Sequence, residues 1–401
     1  MRLLSFLLFV NTAWAQLPQT VTLDEVLRIV EKSPRVAVSQ HEADIARAER
    51  VQAGAFANPT LSLGRSTPSG GDRTIFDASS QQQATVELPV PIFGQRGARV
   101  RAADLQVGRA ESQLRLTVVE TKRLAGLEFI RLAAAQESLA ARRAALADVE
   151  RIRGLVAGRQ ESGMASRYDL ARADAERALA NLGVQRALNE LNEHSAALAA
   201  LVDAPGWRPQ PAVSIAQVVT QLGDAEPDVA GSPALRVARD ETAAAQARIE
   251  LARRERFPVP ALQLGRTWTS GPFGAANFVG VASEIPILDT RRALEDKAVA
   301  EHGVARERER GVNATVRSEF GRQREALAVR KEALARFERD VFERQSTFLE
   351  MAESAYRLGR GTLFELLDAR RTQLEASLAR AELLAAIAET QLELRALSGS
   401  L

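Results

Sequence analysis

A fourteen-residue turn pattern occurs twice in this chain without a gap, and it limits the available folds more than any other stretch. The second copy reads Tyr356-Arg-Leu-Gly-Arg-Gly-Thr-Leu-Phe-Glu-Leu-Leu-Asp-Ala369, and the first runs from Gln160 to Ala173. The pairs Gly163/Gly359, Ser166/Thr362, Asp169/Glu365, Leu170/Leu366 and Ala173/Ala369 all stand 196 positions apart. In each copy a glycine sits where a helix should stop and a Ser or Thr follows three residues later as an N-cap. An acidic residue then falls in the first turn, where it complements the free amides and the helix dipole. Each copy reads as the tip of a helical hairpin, so the chain reads as a duplication.

The spacing of prolines gives the hairpins their length. After Pro91 no proline appears until Pro205, a run of 113 residues interrupted only by the first turn, and the 115 residues after Pro286 hold none. A helix from about Gln95 to Arg159 would be about 100 Å long at 1.5 Å per residue. The return helix, from Tyr168 to Val202, places Leu170, Val184, Leu191 and Leu198 on a seven-residue spacing whose remaining slot is Arg177, with Ala173, Ala180, Ala187 and Leu201 three further on. These are coiled-coil seams with small residues that allow close approach. A second uninterrupted rod is expected after Pro286, followed by a return helix with Leu367, Leu374, Ala381 and Ala388 on its seam. Each return helix is too short to cover its rod alone. The helix from Thr22 to about Ala53, with a break near Ser33-Pro34, would supply the missing length end to end.

Between the helices the period changes to two. Leu61 and Leu63 alternate with Thr60, Ser62 and Gly64; Ala84, Val86 and Leu88 alternate with Thr85 and Glu87, across a loop that opens at Pro68. The second half repeats this with Leu262 and Leu264, a loop at Thr269–Gly274, and Val279, Val281 and Ile285. Four strands are expected, at 58–67, 81–91, 259–269 and 276–286. The chain therefore divides into a first repeat at 16–202, an irregular connector at 203–231 with one short helix at 213–222, placed at mid-height, and a second repeat at 232–401.

Residues 1–15 carry Arg2, an apolar run from Leu3 to Val10 and a small-x-small site at Ala13-Trp14-Ala15, which together read as a secretory signal. No later stretch approaches the roughly 20 apolar residues of a spanning helix. Any membrane must be crossed by strands. Four strands cannot close a barrel, because open edges leave unpaired amides in hydrocarbon, so several copies must pool theirs. With no cysteine, the exported chain has neither disulfides nor a Cys for lipidation. Composition fits long packed helices: 46% of residues are hydrophobic and only 5% aromatic. The 53 basic and 51 acidic residues are interspersed, which leaves no basic patch for nucleic acid.

The duplication, the paired strand insertions, the connector and the tip motif at 356–369 together resemble the TolC family of outer-membrane efflux factors over essentially the whole mature chain. Pro91-Ile-Phe-Gly-Gln-Arg-Gly-Ala-Arg99 is most similar to the heavy-metal (CzcC/CusC-like) branch. The resemblance implies a mainly α fold with a small β part. In it a long antiparallel coiled-coil α-barrel continues into a transmembrane β-barrel, both closed only in a homotrimer. It implies a passive exit duct in the outer membrane of a Gram-negative bacterium, with a large periplasmic extension. Its partners would be outer-membrane lipid, a periplasmic adaptor (membrane fusion protein) and an inner-membrane pump of the resistance-nodulation-division type. By position Tyr356 matches the tyrosine of the family's closing network, and Glu365 and Asp368 match its acidic ring. The first repeat places Asp169 and Arg172 there. Gly361 stands where some members carry the network's arginine, and Arg172 opposite a carboxylate could substitute for it. Adaptor contact falls near Gly163, Gly359 and Gly361. A carboxylate repeated by symmetry around a wet constriction repels anions and draws cations. Against this, an acid in the first turn of a helix serves a cap more often than a gate, which weighs on Asp169 and Glu365 more than on Asp368.

An enzyme finds little support. His41, His194 and His302 form no ligand-spaced cluster, and His194 lies on an alanine seam; Glu190 and His194 make one pair, which is not a site. No nucleophile motif, phosphate loop or dinucleotide fingerprint stands in its proper context, so neither cofactor nor metal is expected. The rival reading is an exported structural or adhesive coiled-coil protein, from which only the strands distinguish a channel.

Overall fold

The structure, a computed structural model, describes residues 17–67, 80–223, 228–270 and 274–401. The expected signal at 1–15, the loop opened by Pro68, Pro227 and positions 271–273 lie outside the described residues.

Helices begin where capping groups stand. After the two-residue strand β1 (Thr20–Val21), Thr22 and Glu25 form a reciprocal capping box, the Thr22 amide donating to Glu25 at 2.8 Å, and α1 (Leu23–Ile29) follows. A 3-10 turn at Val30–Lys32 separates it from α2 (Pro34–Gly54), whose leading proline lacks only an amide that would be unpaired anyway. Then come β2 (Thr60–Ser66), β3 (Gln81–Pro89), α3 (Gln95–Glu161) and α4 (Arg167–Leu201). The connector holds β4 (Gln210–Pro211), α5 (Ile215–Leu222) with a Ser214–Gln217 capping box, and a 3-10 turn at Val229–Gly231. The order ends with α6 (Pro233–Glu255), β5 (Ala261–Thr269), β6 (Ala275–Ala282), α7 (Arg292–Phe337), α8 (Gln345–Arg357) and α9 (Leu363–Ser398).

Three expectations need correction. The second rod is not continuous: a π-helical turn at Glu338–Phe342 divides α7 from α8. The turn is met from far along the sequence, where Arg380 of α9 pairs with Glu338 at 2.8 Å and lies over the Phe342 ring at 4.9 Å. The fourth strand stops at Ala282, so Ile285 lies beyond it, next to Pro286. The connector is also more ordered than an irregular link, since β4 pairs in parallel with β1, Thr20 opposite Gln210.

The chain divides into two compact units. One comprises residues up to Val38 with Arg115–Ala234 and Ala314–Leu401. Its core joins Phe129, Ile130 and Leu132 of α3 to Leu198, Ile215, Leu222 and Leu392, all buried. Trp207 closes the connector by donating from Nε1 to the Pro18 carbonyl at 2.8 Å. Ala173, Ala187 and Leu198 are fully buried on α4, as the seam requires, and Leu367, Ala381 and Ala388 are buried on α9. His194 lies 2.9 Å from Glu128 of α3 rather than pairing with Glu190.

The other unit comprises residues 39–114 and 235–313 and carries an antiparallel sheet in the order β2-β3-β5-β6. Its register aligns Leu61, Val86, Leu264 and Val279 across all four strands. Alternation then gives one face to Leu61, Leu63, Val86, Leu88, Leu262 and Val281, and the other to Thr60, Ser62, Thr85, Glu87, Gln263 and Thr267. No described residue covers the apolar face: Leu63 is 75% exposed and Val279 74%. On the hairpin-loop side it ends at Arg266 and Asn277 on β5 and β6, level with Leu63 and Ala84, and one row further on at Arg65 and Gln82 on β2 and β3. No described helix is long and apolar enough to cross a membrane.

Candidate functional site: the paired helical turns

Both turns lie in the first unit and are built by the same hydrogen bonds. At the end of α3, Gly163 takes φ +77° and donates to the Gln160 carbonyl at 3.0 Å, while Met164 and Ala165 donate to the Arg159 carbonyl at 2.7 and 3.2 Å. At the end of α8, Gly359 takes φ +72° and donates to the Tyr356 carbonyl at 3.0 Å, while Arg360 and Gly361 both donate to the Ala355 carbonyl at 2.9 Å. Each is a Schellman closure, which satisfies the last carbonyls of a helix with a left-handed residue.

The next helix of each pair then opens on a capping box. Ser166 donates from its amide to Asp169 at 2.9 Å and Thr362 to Glu365 at 2.9 Å, and the two hydroxyls accept in return at 3.1 and 3.2 Å. The carboxylates of Asp169 and Glu365 are therefore engaged in holding their own helix starts. Asp368, one turn deeper, is exposed and makes no hydrogen bond or ion pair with a described residue.

Tyr356 is buried against Ile152, Val156, Leu349, Leu363 and Leu366. Arg159 reaches it from the first turn, donating to its carbonyl at 2.9 Å with the guanidinium 4.7 Å from the ring centre. Among the described residues Arg172 forms no ion pair; its guanidinium stands 5.9 Å from the ring of Phe364. At Gly361 a Cβ would come within 3.0 Å of the Ala355 Cβ and 3.2 Å of the Tyr356 amide, so a side chain there needs the turn to give by a few tenths of an ångström.

Sequence reasoning missed an ion network behind the turns. Arg370, its side chain only 11% exposed, pairs with both Asp148 and Glu353. Arg371 grips Glu176 with two hydrogen bonds of 2.9 and 2.6 Å, and Arg153 meets Asp174 at 2.8 Å. The Glu176 carboxylate raises the Arg371 pKa further, and the charge of Asp368 acts in the same direction. A signal for Arg370 was present. Leu363, Leu367, Arg370 and Leu374 follow the four-three spacing of a seam, and a charge in such a slot needs partners. Among the described residues no group of three or more metal-ligating side chains occurs.

Paired helical turns in one unit and a one-sided sheet in the other define the class, that of outer-membrane channels built from helices and strands. Solved structures with this fold include VceC of Vibrio cholerae, 18% identical with a TM-score of 0.77, covering 94% of this chain and 96% of that one. CusC is 17% identical with a TM-score of 0.78 over 98% and 95%. MtrE of Neisseria gonorrhoeae, in its open state, is 16% identical with a TM-score of 0.75 over 94% and 88%. No curated protein matches the chain closely in sequence. The chain belongs to the outer membrane efflux protein family, whose model matches residues 28–203 and 229–400. It is an exit duct for efflux in the outer membrane of a Gram-negative bacterium, and the adhesive or structural alternative finds no support. The family is one of channels, not enzymes.

Proposed function

We propose that three copies pool their strands into one twelve-stranded barrel and their helices into a tunnel. This gives a passive duct that carries metal ions, drugs or other small molecules outward and performs no chemistry of its own. The number three comes from the family resemblance. The observation that carries the proposal is the sheet: its apolar face is uncovered, and its outer strands, β2 and β6, each keep one unpaired edge. Open edges in hydrocarbon are untenable, and joining them between copies removes them. Energy would come from an inner-membrane pump of the resistance-nodulation-division type through a periplasmic adaptor that meets the turns at Gly163, Gly359 and Gly361.

The same reading takes residues 1–15 as a signal and 16–202 and 232–401 as two repeats around a connector. The matching hydrogen bonds at positions 196 apart support it, as does a family model that fits two stretches of similar length. Tyr356 would anchor the closing network as a packed residue held by Arg159, with Asp169, Glu365 and Arg172 shaping the turns. Asp368 would carry the gate charge, because its carboxylate alone of the three acidic candidates is not spent on a cap. That MtrE has an open state supports a duct that opens and closes. The test is single-channel recording in planar bilayers. Asp368→Ala should raise conductance and weaken cation preference, and unchanged conductance would remove Asp368 from the gate.

A further inference from the structure

Beyond β6 the chain runs unpaired to α7 and turns its aliphatic side chains outward. Ile285 is 73% exposed, Ile287 75% and Leu288 100%. The segment is nonetheless built. The Ile287 amide donates to the Ile285 carbonyl at 2.9 Å, a tight turn around Pro286. Arg291, at φ +53°, pins the far end. Its amide donates to Asp289 at 2.8 Å, and its guanidinium to the Glu255 carbonyl at 2.8 Å and to Glu284 at 3.2 Å. A non-glycine residue in the left-handed region is held there by its surroundings, and here the side chain supplies the hold.

The junction after β3 has the same character. Val86, Leu88, Val90 and Ile92 keep one parity from the strand into the linker, with Ile92 62% exposed. Gln95, buried at 4%, fixes this junction by donating to the Phe257 carbonyl at 3.2 Å and accepting from the Phe93 amide at 3.1 Å. The apolar parity of the sheet's uncovered face thus continues past the end of β3 to Ile92, and after β6 it is resumed in sequence at Ile285 and Ile287 beyond Ser283, with Leu288 following. Where it stops, arginines begin. Arg253 and Arg256 are engaged by Glu295 at 3.0 Å each, but Arg101 of α3 and Arg292 of α7 have no partner among the described residues.

We propose that the Ile285–Leu288 loop, with Ile92 at the other junction, is a lipid-seating collar that embeds in the bilayer leaflet where the sheet ends, with Arg101 and Arg292 toward its anionic headgroups. The proposal rests on the reading that the sheet's apolar face contacts lipid. Two features favour lipid as the occupant: continuity with that face, and two exposed guanidinium groups, Arg101 and Arg292, without a partner among the described residues and complementary to phosphate. Aliphatic side chains held outward would otherwise cost the assembly their full exposure to water.

The chain has no cysteine, so one introduced thiol is a unique label site. Leu288→Cys, carrying an environment-sensitive fluorophore, is reconstituted as the full chain in vesicles of phosphatidylethanolamine and phosphatidylglycerol. It is then titrated with a nitroxide-bearing phospholipid and, separately, with aqueous iodide. Quenching by the nitroxide lipid and not by iodide is expected. Quenching by iodide overturns the collar, and so does shielding from both, which contact with a neighbouring copy would give. Val281→Cys on the apolar face and Thr85→Cys on the polar face are measured in parallel. If lipid quenches the label at 281 but not at 288, the collar fails and the channel reading stands. If lipid quenches neither, the sheet's membrane face itself is wrong.

Discussion

Arg370 shows how one buried charge can organise a turn. Its guanidinium sits between Asp148 and Glu353 with little solvent access, so each carboxylate depends on it for compensation. Arg370→Ala should destabilise the assembled protein by about 3 kcal/mol or more, because two acids are then left facing each other in a poorly hydrated cleft. Combining Arg370→Met with Asp148→Asn and Glu353→Gln should recover most of that loss. Thermal unfolding in detergent, followed by tryptophan fluorescence, checks both. At this scale the sequence is legible where a residue acts on its own helix. Ser166, Thr362, Asp169 and Glu365 cap as their spacing requires. Arg159 is not legible, because its partner Tyr356 is 197 positions away and nothing local marks the approach.

Elements follow the same division. The rod α3, the return helix α4, α5 and the first three long strands fall within about two residues of expectation, because hydrophobic period and caps are local signals, while β6 stops short of its expected end. The π-helical turn is invisible from its own residues. Positions 322–357 hold neither glycine nor proline, and Arg380, which contacts the turn, lies some forty residues further along the chain. The two turns give a direct test. Gly163→Ala and Gly359→Ala should each cost about 1–2 kcal/mol, because both glycines are left-handed. Gly154→Ala, inside α3 with nothing within 4 Å of the added carbon, should instead stabilise by about 0.5–1 kcal/mol. Equal losses at 163 and 359 in denaturant or thermal melts would bear out the equivalence of the two turns; unequal losses would deny it.

For the whole molecule, the decisive property is that the sheet is unfinished. Its apolar face and its two edges each demand something the single chain does not supply. A variant with one cysteine on β2 and one on β6, treated with a short bis-maleimide, should give covalent products that stop at three copies on a denaturing gel. Products ending at two, or extending past three, would refute the proposed assembly. The duct and its membrane were legible in the sequence through the order of elements and the resemblance it carries. The lipid collar was not, since Ile285 counted as strand until the strand was seen to end before it.

The strand order carries one more consequence. Successive neighbours in β2-β3-β5-β6 are all antiparallel, so the outermost two also run in opposite directions. Because four is an even number, a ring of two, three or five such sheets would close with no mismatched seam. Parity leaves the number of subunits open, so whatever sets it lies outside the strands.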